Sequence, residues 1–200
     1  IYHGGYQADV TISNSSFTGN HADGTERNNH GGGAIFISSM DNSAATTSVQ
    51  ILNNTFTGNS TAAAGGALAV RKSYHNGGNN GNISFGSSST TFLIHGENLT
   101  FKDNSAEYGG ALLLHADKKS YIEFTNSLFD ENTATKTGGA IHLTATYNDQ
   151  GFTANLHGLT IINNSAGYSG GAIAIAERAD LYLSYSTVVG NRLTTTGKTI

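Results

Sequence analysis

The stretch Phe101-Lys102-Asp103-Asn104-Ser105-Ala106-Glu107-Tyr108-Gly109-Gly110-Ala111-Leu112 holds two short blocks that decide the fold. The first is an apolar residue, two variable residues and an Asn. It recurs as Phe17 to Asn20, Phe56 to Asn59, Phe101 to Asn104, Phe129 to Asn132 and Ile161 to Asn164. The second is Gly-Gly-Ala followed by an aliphatic residue. It recurs at Gly32 to Ile35, Gly65 to Leu68, Gly109 to Leu112, Gly138 to Ile141 and Gly170 to Ile173. Val188 to Asn191 begins a sixth unit, and Gly197-Lys198-Thr199-Ile200 stands where its glycine block belongs. Repetition of this kind marks a solenoid, in which each unit buries its apolar face against its neighbours.

Period-2 alternation around the blocks predicts strands. Val10 and Ile12, Val49 and Ile51, Ile122 and Phe124, and Leu181 and Leu183 form a first inward-facing strand. The block residues Phe17, Phe56, Phe101, Phe129, Ile161 and Val188 form a second, stacked column. The aliphatic pairs after the glycines form a third. Helix is excluded because each Gly costs about 1 kcal/mol in a helix interior, and because the apolar spacing is two. The expectation is an all-β chain: a right-handed parallel β-helix of about six coils, each with three short strands. Residues 1–200 read as one β-helix segment, a fragment of a longer solenoid.

Composition narrows the function. The net charge of −4 comes without any basic run, which argues against nucleic-acid binding. Cys is absent, so neither disulfides nor thiolate metal sites arise. No apolar run is long enough for a membrane-spanning helix.

The columns themselves suggest roles. Asn20, Asn59, Asn104, Asn132, Asn164 and Asn191 should stack about 4.8 Å apart as a hydrogen-bonded ladder. By strand parity Ala34, Phe36, Ala67, Ala111, Leu113, Ala140, His142 and Ala172 face outward, a candidate contact stripe. Sequons place candidate glycosylation at Asn14, Asn53, Asn82 and Asn98, whereas Asn59 and Asn163 fall at an inward turn. His95 and His157 each lie in an apolar-His-Gly triplet, which assigns them matching places two coils apart, too far to share a zinc. Asp103, Asp130 and Glu131 gather near the second strand without an Arg or Lys column, the pattern of a solvated edge. No catalytic residue, metal site or cofactor is assigned. Insertions at His21 to Gly31, Met40 to Ser48, Ser73 to Thr91, Ala116 to Ser120 and Thr146 to Phe152 are where specificity is expected.

The alternation of FxxN and GGA[ILV] blocks resembles the repeats of the chlamydial polymorphic membrane protein family of autotransporter adhesins. Ile161 and Val188 are conservative departures from the Phe of the first block. The resemblance implies a β-helix passenger exposed outside the cell or on its surface, attached to the outer membrane if secreted as an autotransporter, with adhesion as its role. The reading is therefore a non-catalytic surface repeat protein whose partners are protein or glycan ligands on a cell surface. The runner-up is a structural subunit of a filament or coat, self-associating through its coil ends. A polysaccharide-active enzyme is the weaker alternative.

Overall fold

The computed structural model describes residues 1–5, 8–23, 31–39, 46–72, 91–116, 120–145 and 151–194. These residues form β-strands and turns with no helix, arranged as four parallel sheets of six strands each. Each of the first five coils contributes one strand to each sheet, Tyr2–Gly5 ahead of them and three strands of the sixth coil complete the sets, and every strand pairs with its counterparts one coil away, as in a parallel β-helix. The third coil shows the plan. Thr91–Glu97 lies in an alternating sheet, Thr100–Lys102 in a phenylalanine sheet, Ser105–Tyr108 in a short sheet, and Leu112–Ala116 in a glycine-block sheet.

Four strands per coil replace the expected three. The added strand follows the Asn and has only two to five residues. Its inward residues are small, such as Ala106 and Ala134, which are buried opposite exposed Ser105 and Thr133. So short a run with so small an apolar side chain leaves no readable alternation.

The core follows the first, second and third columns of the sequence. Val49 and Ile51, Phe92 and Ile94, and Ile122 and Phe124 enter from the alternating sheet. Phe56, Phe101, Phe129 and Ile161 enter from the phenylalanine sheet. Leu68 and Val70, Leu112 and Leu114, and Ile141 and Leu143 complete the interior. The rings of Phe17, Phe56, Phe101 and Phe129 stack face to face with centroids 4.9, 4.8 and 4.7 Å apart. That separation equals the strand spacing, so ring stacking and backbone hydrogen bonding are satisfied by one register. Val188 pairs in register with Ile161 but is 46 % exposed, since no described coil lies over it.

Chain reversal at three corners of each coil requires left-handed backbone. One corner column runs through Asn14, Asn53, Asn98, Asn126, Gly158 and Tyr185, all at positive φ. A second runs through Gly19, Gly58, Asp103, Glu131, Asn163 and Gly190. The third is the first glycine of each glycine block, for instance Gly138 at φ 69°. Asn and Gly adopt this conformation at low energy, which explains their abundance. The second glycine of the block has a different duty. A methyl group on Gly139 would run into the carbonyl oxygen of Gly171 and lie 2.7 Å from the Ser165 nitrogen. Close approach of neighbouring coils therefore excludes any side chain there.

The histidine correspondence is corrected. His95 pairs with Glu123, which pairs with Asn155, whereas His157 pairs with Thr125. The two histidines are two residues out of step because their glycines differ. Gly158 is a left-handed corner, whereas Gly96 sits within a strand where the Phe124 ring occupies the space of a side chain.

Candidate functional site

The Asn column forms a continuous amide ladder along the interior. Asn20 Nδ2 donates to Asn59 Oδ1 at 2.8 Å, Asn59 to Asn104 at 3.0 Å, and Asn104 to Asn132 at 2.9 Å. Asn132 donates to Asn164 at 2.9 Å and Asn164 to Asn191 at 2.8 Å. Each Oδ1 also accepts the backbone N–H of the preceding rung, as Asn132 Oδ1 does from Asn104 N at 3.0 Å. The second amide hydrogen goes to a carbonyl in the phenylalanine sheet, for example Asn132 Nδ2 to Phe101 O at 3.0 Å. Donors and acceptors of the interior rungs are thus spent within the scaffold, leaving none for a ligand.

A second polar ladder lies outside. Asn53 Nδ2 donates to Asn14 Oδ1 at 3.2 Å, and Asn98 Nδ2 donates to Asn53 Oδ1 at 3.1 Å. These exposed residues are three of the four sequon candidates; Asn82 lies outside the described residues. The sequon itself has a structural origin. A left-handed corner selects Asn, and two residues later the outward start of the next strand carries Ser16, Thr55 or Thr100. Asn163 is exposed at its own left-handed corner, not at an inward turn, whereas Asn59 is buried in the ladder. The position just after the first corner forms a third hydrogen-bonded column. Ser15 N donates to Asn54 Oδ1 at 2.8 Å and Leu99 N donates to Ser127 Oγ at 3.1 Å. Its residue type changes from coil to coil, so no repeat signal marks it.

The contact stripe is corrected. Ala34 is 5 % exposed, and Ala67, Ala111 and Ala140 are fully buried in the main core, with Ala172 packed against it. Strand parity fails there because the coil bends at the Ala. The Ala140 carbonyl accepts from both Ala111 N and Leu112 N at 3.0 Å, so two consecutive residues face inward. Phe36 and Leu113 pack with Ala64, Ala69 and Tyr108 in a second cluster. Ala64 and Tyr108, from the segment ahead of the glycines, pack on them and cover them. His142 is buried as well, edge-on to the Tyr108 ring, with its Nδ1 2.9 Å from Thr137 Oγ1. Burial, and secondarily the Arg71 charge, push the His142 pKa down to about 4.

The acidic corner is held by a cation. Lys102 Nζ donates to Asp130 Oδ2 and to Glu131 Oε2, each at 2.9 Å. The two carboxylates raise the Lys102 pKa, Glu131 contributing most. Asp103 and Glu131 line an open cavity of about 540 Å³ with Thr133, Asn163, Ser165 and Arg192. Among the described residues no three His, Asp or Glu side chains converge as a metal site. Nor does any described helix reach the length and apolarity needed to cross a membrane.

The outer face of the alternating sheet is also open. One column across it reads Ser48, Leu93, Tyr121, Thr153, Asp180, and the next reads Gln50, His95, Glu123, Asn155, Tyr182. Tyr121 is 52 % exposed and Tyr182 68 %. His95 Nδ1 lies 3.1 Å from Glu123 Oε2, and the His157 ring lies 4.9 Å from the Tyr185 ring at the sheet edge. The predicted insertions lie largely outside the described residues: 24–30, 40–45, 73–90, 117–119 and 146–150.

No curated protein and no solved structure matches the chain at a significant level. Protein-family comparison matches three segments, each running from the first left-handed corner through the Asn ladder into the glycine-block sheet. Residues 14–38, 126–144 and 158–176 match the repeat of the Chlamydia polymorphic membrane proteins, a family of outer-membrane and surface proteins.

Proposed function

We propose that this chain is part of the exposed, non-catalytic region of such a surface protein and acts as an adhesin. The carrying observation is the outer face of the alternating sheet, where each coil presents different side chains in a register locked by the Asn ladder and the Phe stack. A rigid array of non-repeating polar and aromatic groups suits recognition, since little ordering entropy is lost on binding. The non-catalytic reading is supported at the acidic corner, where Lys102 already holds two of the three carboxylates.

Beads coated with residues 1–200 should attach to cultured epithelial cells saturably, and the soluble chain should compete. Attachment no greater than that of albumin-coated beads would overturn the adhesin reading.

A further inference from the structure

An open cavity of about 730 Å³ lies at the edge of the alternating sheet, lined among others by Tyr121, Thr153, Asn155, Glu177, Arg178 and Asp180. From these groups we infer that the cavity and the adjoining Tyr182 form a binding site for a neutral, extended oligosaccharide of about three sugar rings. The inference deepens the adhesin reading and names the ligand class for it.

The lining chemistry matches a sugar. A pyranose has an apolar C–H face and a rim of vicinal hydroxyls. Tyr121 supplies an exposed aromatic surface for the first. The carboxylate of Asp180 and the amide of Asn155 suit the second, because each presents paired donors or acceptors to neighbouring hydroxyls.

Sheet geometry sets the length. Tyr121 pairs with Thr153, which pairs with Asp180, and Tyr182 stands two residues further along that last strand. Two strand spacings across and two residues along put the tyrosines about 12 Å apart. Asn155 and Thr153 lie on the strand between them. An extended trisaccharide spans this gap, with its end rings on the two tyrosines and its middle ring over the polar strand.

Charge selects a neutral ligand. Among the described residues of the cavity Glu177 and Asp180 outnumber Arg178, and Glu97 and Glu123 flank His95 on the same face. A sulfated or carboxylated glycan would meet net repulsion.

Tyrosine fluorescence is a direct readout, since the chain has nine Tyr and no Trp. Titration with triacetylchitotriose and with cellotriose should give saturable change, while a heparin-derived tetrasaccharide should give none. Tyr121→Ala and Tyr182→Ala should each weaken binding at least tenfold with an unchanged circular dichroism spectrum. Tyr168→Ala, on an exposed tyrosine outside the site, should leave binding unaltered. Absence of saturable binding by either trisaccharide, preference for the anionic glycan, or full affinity in both tyrosine variants would overturn the site. The bead assay separates this from the broader reading. Cell attachment that survives the double variant Tyr121→Ala, Tyr182→Ala removes the glycan site and leaves the adhesin reading standing.

Discussion

Asn132 shows how much one repeated side chain does. Its Oδ1 accepts from both the backbone and the amide of Asn104, and its Nδ2 serves the Phe101 carbonyl. Asn132→Ala removes these three hydrogen bonds and the one to Asn164 Oδ1, all inside the protein. At about 1–3 kcal/mol for each unsatisfied buried group, the loss should reach about 3 kcal/mol or more, read from urea unfolding. His142 carries a different signature. Its pKa of about 4 in the folded chain lies below the 6.5 of a free imidazole. Between these values the unfolded chain takes up a proton that the folded chain refuses. Stability should therefore fall as pH drops from about 6.5 to 4, by up to about 3 kcal/mol, and level off below. His142→Leu, which copies Leu113 one coil earlier, should flatten the difference; an unchanged pH profile would contradict the burial. The Lys102 ion pairs are exposed and contribute little by comparison.

At the scale of the element, the Phe stack and the two glycines of each block define the coil. Phe101→Ala removes a ring sandwiched between Phe56 and Phe129 and should cost about 3–5 kcal/mol by denaturant titration. Glycine tolerance should differ sharply between columns. Gly139→Ala forces a methyl group into the neighbouring coil and should prevent cooperative folding, seen as lost structure by circular dichroism. Gly58→Asn should change stability by less than about 1 kcal/mol. Its corner already holds Asn163 in an equivalent place, and nothing lies within 4 Å of a methyl group there. The stacked columns were legible in the sequence because each demands one residue type at every coil. The fourth strand was not, because Ala106 and Ala134 bury too little surface to stand out. The Ala stripe was misread for a related reason. Alternation predicts direction only within a strand, and Ala111 sits on a bend where two successive N–H groups share one carbonyl.

At the scale of the whole molecule the structure is quasi-one-dimensional, with each coil supported by its two neighbours. Protection against hydrogen exchange should follow that support. The amides of Asn59 and Asn104, bonded within the buried ladder, should exchange at least tenfold more slowly than those of Arg192 and Thr194 on the exposed last described coil. Uniform protection would mean that all coils open as one unit. The sequence by itself determined the β-helix, the order of its inward columns and the Asn ladder. Repetition writes these into the chain once per coil, and stacking at one spacing converts each repeated position into a straight column. The tertiary structure alone decided which surface stays open. Whether a residue outside the core meets solvent depends on what folds over it. The segment before the glycines covers Phe36, Leu113 and His142, while Tyr121 and Tyr182 on the alternating sheet remain exposed. That covering comes from the path of the chain, not from the type of residue it hides.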